Sequence, residues 1–124
     1  MARVLGVGGV FFKSPDPEKL YAWYERWLGF HSDPQWGIMF EPQDMPKNSG
    51  TVWSAFIAST DHFAPSSKEF MFNLIVDDVR AALAQVKEGG AQLVGTVEEA
   101  DYGKFGWFLD PDGNKVELWE PAAA

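Results

Sequence analysis

With 124 residues and 46% hydrophobic content, the chain has enough apolar material for one ordinary core and no more. A formal net charge of -8 and the absence of any Lys or Arg run remove the electrostatic footprint of a nucleic-acid binder, and they disfavour an anionic membrane surface. The absence of cysteine excludes disulfides, thiolate metal sites and Cys nucleophiles together.

The first segment, Val4 to Lys13, is rich in Val and Phe but interrupted by Gly6, Gly8 and Gly9, so it reads as a buried strand rather than a helix. Ser14-Pro15-Asp16-Pro17 then breaks the chain, with Asp16 suited to cap a helix and Pro17 to its first position. Leu20, Trp23, Tyr24, Trp27 and Leu28 form one helical stripe, and Gly29 follows where a left-handed stop fits. A weak strand is expected around Phe30 to Gln35, another at Gly37 to Glu41, and a longer one at Thr51 to Ser59. Polar connections with prolines fill 42–50 and 60–68.

The pattern then returns. Phe70 to Val76 reads as a strand, Asp78 as a cap, and Val79, Ala82, Leu83 and Val86 as a second helical stripe closed by Gly89-Gly90. Strands are expected at Gln92 to Val97, Lys104 to Leu109 and Lys115 to Glu120, the last two joined by the turn Asp110-Pro111-Asp112-Gly113-Asn114. Aligning Asp16 with Asp78 superposes strand on strand and cap on cap, which argues for a duplicated module inside one domain. Module one is placed at about 4–59, the connection at 60–68 and module two at about 69–121. The N-terminus lacks a small-residue cleavage pattern and nothing approaches ~18 consecutive apolar residues, so a cytoplasmic protein is expected.

GGVFFKSPDPEKLYAWYERWLGF, NLIVDDVRAALAQVKEGGAQL and LDPDGNKVELWEP, in that duplicated order, resemble the vicinal oxygen chelate superfamily, which includes glyoxalases, extradiol dioxygenases and bleomycin-binding proteins. The resemblance spans nearly the whole chain. It implies an α+β fold of two βαβββ modules, whose curved mixed sheets form an open cup with the helices outside. It further implies a homodimer and, in metal-using members, a divalent ion held by two His and two carboxylates. Carried onto this chain, those positions fall at Gly9, Met71, near Ala55, and Glu117. One carboxylate is too few for a site that usually needs three or four ligands, so no metal cofactor is expected. His31 and His62 read as surface loop residues.

Strand alternation gives the rest of the cup. Gly9, Phe11 and Lys13, Trp53, Ala55 and Ile57, Met71, Asn73 and Ile75, and Glu117 and Trp119 share one parity. Val10, Phe12, Phe72, Leu74, Val76, Val116 and Leu118 share the other and are expected under the helices. The candidate ligand-binding residues are therefore Gly9, Phe11, Trp53, Ala55, Met71, Asn73 and Trp119; Lys13 and Glu117 are the catalytic or anchoring candidates, expected to pair across the cup. The leading functional expectation is a metal-independent protein that binds a small, flat molecule. The alternatives are a glyoxalase-like lyase or isomerase with Glu117 as acid or base, a metal-dependent dioxygenase-type enzyme, and a purely structural dimer. The fold alone does not choose among them.

Overall fold

The computed structural model describes residues 1–33, 35 and 37–123. Two helices and a mixed four-stranded sheet carry its packing. Helix α1, Pro17–Leu28, starts where Asp16 accepts the Lys19 N–H at 3.2 Å and stops at Gly29 with φ of 70°. It is followed by a short antiparallel pair, β1 (Ser32–Asp33) and β2 (Gly37–Ile38), and a 3-10 turn at Pro42–Asp44. Glu25 of α1 accepts from the backbone and hydroxyl of Ser32, which ties β1 to the helix and holds this exposed carboxyl below its ordinary range.

The second half is complete. Strand β3 (Phe72–Ile75), helix α2 (Val79–Glu88), β4 (Gln92–Ala100), β5 (Gly103–Leu109) and β6 (Lys115–Pro121) follow in chain order. Their spatial order is β3-β6-β5-β4, with β3 parallel to β6 and the other neighbours antiparallel. A parallel neighbour requires a crossover, which α2, β4 and β5 supply. Both helices lie on one face. Leu20 and Tyr24 of α1, Val79, Ala82 and Val86 of α2, and Phe108, Val116 and Leu118 of the sheet form one buried cluster. Gly106 is required beneath α2, because an added Cβ would come within 2.6 Å of Leu83 Cδ1.

Polar ties fix α1 onto this second half. The Trp23 indole donates to the Gly89 carbonyl at 2.8 Å, and Gln85 donates to the Trp27 carbonyl at 2.9 Å. The Tyr24 hydroxyl donates to Asp110 Oδ2 at 2.8 Å. Asp110 is buried and also accepts from the Asp112 and Asn114 backbones and from Asn114 Nδ2, so the DPDGN turn is a folded polar knot as well as a connection. Burial, and then the neighbouring Asp110 charge, hold the Tyr24 hydroxyl protonated far above the usual tyrosine range.

The first half departs from expectation. Neither 4–13 nor 51–59 forms a strand, and both segments are exposed: Phe11 is 95% and Trp53 85% accessible. Val10 is also exposed, while Phe12 packs on Phe72 at 4.8 Å between ring centroids. The cause is visible in α1. Its apolar stripe already faces the second-half core, and Glu18, Lys19, Ala22, Glu25 and Arg26 are exposed. Among the described residues, no apolar helix face is left to cover a first-half sheet. The strand expected near Phe30 to Gln35 is reduced to Ser32–Asp33, with Pro34 outside the described residues.

Candidate functional site on the open face of the sheet

Alternation in β6 puts Val116 and Leu118, fully buried, beneath the helices and turns Lys115, Glu117 and Trp119 to the other face. The register carries that parity across the sheet. Asn73 of β3 lies beside Glu117, and Trp107 of β5 lies beside it on the opposite flank. One row therefore runs Asn73, Glu117, Trp107 across three strands. The next row runs Ile75, Trp119, Phe105, with the Trp119 and Phe105 rings parallel at 6.3 Å.

Within the first row the carboxylate is held from both sides. Asn73 Nδ2 donates to Glu117 Oε1 at 2.7 Å, and Trp107 Nε1 donates to Oε2 at 2.9 Å. Its side chain is only 17% exposed. A carboxylate gripped by two neutral N–H groups on flanking strands stays in one orientation, and such charge-assisted bonds are stronger than neutral ones.

His62, a turn residue with its side chain 41% exposed, approaches this row. Its Nε2 lies 3.8 Å from Glu117 Oε2. Three contacts place it. Its carbonyl accepts from Lys115 Nζ at 2.5 Å, its N–H donates to Thr60 Oγ1 at 3.2 Å, and its ring stacks on Phe56 at 5.6 Å with 3° between planes. The Trp107 ring stands edge-on to it at 6.4 Å.

Of the candidates from sequence, Asn73, Glu117 and Trp119 come together on this face. Met71 is half-buried just before β3. Gly9, Phe11, Lys13, Trp53 and Ala55 lie on the exposed first-half segments. Lys13 is exposed and makes no ion pair among the described residues, so the expected Lys13–Glu117 pair is replaced by Asn73, Trp107 and His62 around Glu117. Trp107 went unselected, although its place could be counted: the turn at 110–114 sets Leu109 opposite Lys115 and so Trp107 opposite Glu117.

The donor set around Glu117 does not fit the superfamily's divalent ion. The indole N–H on Oε2 and the amide N–H on Oε1 each take one acceptor site, so Glu117 alone offers a metal at most one lone pair per oxygen. Among the described residues, no third His, Asp or Glu joins Glu117 and His62. Hollows of about 260 and 340 Å³ lie elsewhere, one lined by Phe30, His31, Phe40 and Met45, the other by Pro15, Lys19, Leu20 and Pro111. The Glu117 face itself is an open wall, half of a cup.

Comparisons with known proteins agree with this architecture. The family model described as a glyoxalase-like domain matches residues 9–119, and the chain belongs to that family. It is a protein of the glyoxalase, bleomycin-resistance and dioxygenase superfamily by fold. A hypothetical protein from S. aureus is similar at 18% identity and a TM-score of 0.56, over 92% of this chain and 94% of that one. A superfamily member from Sphaerobacter thermophilus gives 28% identity and a TM-score of 0.49, covering 85% and 88% of the two chains. TnmS3, an antibiotic binding protein from Streptomyces sp. CB03234, gives 26% and 0.49, covering 86% and 88%. No curated protein matches the chain. No helix among the described residues is long and apolar enough to cross a membrane.

Proposed function

We propose that the open face around Glu117 binds a small planar molecule without a metal ion. The observation that carries this reading is the row Asn73–Glu117–Trp107, an oriented carboxylate framed by aromatic rings. Pockets for small molecules pair an apolar, aromatic lining with a few fixed polar groups, and Trp107, Trp119, Phe105 and His62 supply such a lining here. Glu117 and His62 make one acid–base pair on this face, and no third His, Asp or Glu joins them among the described residues. Titrating the protein with quinoline while following its indole N–H resonances tests this. The Trp107 and Trp119 signals are expected to shift saturably and together; titration without saturation at either residue removes the reading.

We also infer that the working unit is a homodimer. The chain exposes 9217 Å², whereas a compact monomer of 13.8 kDa exposes about 6,600 Å². The difference, about 2,600 Å² per chain and so about 5,200 Å² for two copies, is at the upper end of obligate dimer interfaces. It includes Val4, Leu5, Phe11, Trp53 and Ile57, large apolar residues each at least 77% exposed. The repeat states how these segments should pair. Residues 72–75 run parallel to β6 with Leu74 opposite Leu118, and the equivalent first-half pairing sets Phe12 opposite Phe56. A second copy offers the cover that α1 no longer has, and it supplies the missing wall of the cup. Sedimentation is expected to return twice the chain mass, with slow amide exchange at 10–13 and 53–57. A monomer, or rapid exchange in those segments, overturns the dimer and leaves the binding test intact.

A further inference from the structure

The chemistry of the Glu117 row specifies more than flatness. A carboxylate has about four lone-pair sites. Asn73 takes one on Oε1 and Trp107 one on Oε2, and the remaining acceptor capacity of Oε2 lies toward His62. At 3.8 Å, Nε2 is too distant for a hydrogen bond to that oxygen, yet near enough for one small group to reach both.

Neither partner is free to close the gap easily. Glu117 is held by strands on both flanks. His62 is held through its own backbone by Lys115 and Thr60, and through its ring by Phe56. The Lys115 ammonium is engaged with the His62 carbonyl, so it anchors the connection rather than meeting a ligand. An acceptor and a donor therefore stand side by side, fixed independently and walled by aromatic rings.

Resting on the binding reading above, we propose that this site recognises a planar cyclic amide: a lactam, imide or pyridone-type ring presenting N–H and C=O on one edge. The ligand N–H donates to Glu117 Oε2, and the adjacent carbonyl accepts from His62 Nε2–H. A ligand carboxylate meets Glu117 with like charge. An amidinium brings two donors and no acceptor, and so matches only a His62 whose Nε2 is unprotonated. A plain arene satisfies neither group, and fixed polar groups that go unpaired on binding weaken it.

Calorimetric titration with 2-quinolinone, N-methyl-2-quinolinone and quinoline tests the assignment. In the wild-type protein, N-methylation is expected to weaken binding about ten-fold, since it removes the donor facing Glu117. His62→Phe keeps a ring on Phe56 and removes the imidazole donor; it should weaken 2-quinolinone about ten-fold more than it weakens quinoline. Equal affinity for 2-quinolinone and its N-methyl form overturns the proposal, as does an equal loss for 2-quinolinone and quinoline in His62→Phe, which would make His62 a wall only. If His62→Phe does not fold, the wild-type comparison decides alone. Binding of none of the three probes overturns the binding reading itself, a result distinct from indiscriminate binding.

Discussion

In the second half of the chain four strands share one ladder, and two helices bury Val116, Leu118 and Phe108 completely beneath them. In the first half a helix with equally good caps sits between two segments whose aromatic residues face solvent. The residue pattern is nearly the same in both. What differs is the cover. Helix α2 lies on its own module's sheet, whereas α1 gives Leu20 and Tyr24 to that same sheet and keeps an outward polar face. A strand pattern states which face wants burial and says nothing about who buries it.

Core truncation should break the comparison most visibly. Phe108→Ala removes a fully buried ring and is expected to cost about 3–5 kcal/mol in denaturant unfolding, whatever the protein concentration. Trp53→Ala removes a larger side chain that is 85% exposed in the single chain. On the dimer reading its loss relative to wild type is largest at high protein concentration and shrinks as dilution dissociates both proteins. A concentration-independent loss comparable to that of Phe108→Ala would place Trp53 in the chain's own core and erase the contrast between the halves.

The Tyr24–Asp110 bond is the point where the first half is fastened to the second. Tyr24→Phe leaves the buried carboxylate one donor short and is expected to cost about 1–3 kcal/mol at neutral pH. The pH dependence has a definite sign. An unfolded tyrosine loses its proton near pH ~10, while folded Tyr24 keeps it well above that. Above that pH the unfolded state binds fewer protons, so stability falls as pH rises, by up to about 1.4 kcal/mol per unit from this group. Below it Tyr24 contributes no slope. Unfolding titrations from pH 9 to 11 should therefore show a steeper alkaline decline in wild type than in Tyr24→Phe. Parallel declines would detach Tyr24 from the effect.

Much of this was legible in residue order. Asp16 and Asp78 cap their helices, Gly29 stops the first, and the 110–114 turn sets β5 against β6, because capping and turn chemistry act over a few residues. The parity of β6 followed from alternation, so Asn73, Glu117 and Trp119 were placed on one face. His62 was not legible. Its position depends on Lys115 reaching a carbonyl 53 residues away in sequence and on a ring stack with Phe56, and neither leaves a periodic trace. The first-half strands were legible as apolar segments and illegible as paired ones, since pairing is a non-local contact.

The weakest expected effect sharpens the comparison from the other side. Arg80 of α2 meets Glu99 of β4 at 3.3 Å, with both side chains more than half exposed, and Lys104 also approaches Glu99 at 4.0 Å. Exposed pairs gain little in water, pay side-chain ordering and are screened by salt. Arg80→Ala also leaves Glu99 with Lys104, so no charge is stranded. The expected loss is about 0–0.5 kcal/mol in urea unfolding at low salt, vanishing near 0.5 M salt. A loss above about 1 kcal/mol that persists in salt would mean that surface charge, and not the apolar cover of Val79, Ala82 and Val86, holds α2 to the sheet. The completeness of the second half would then need an explanation other than burial.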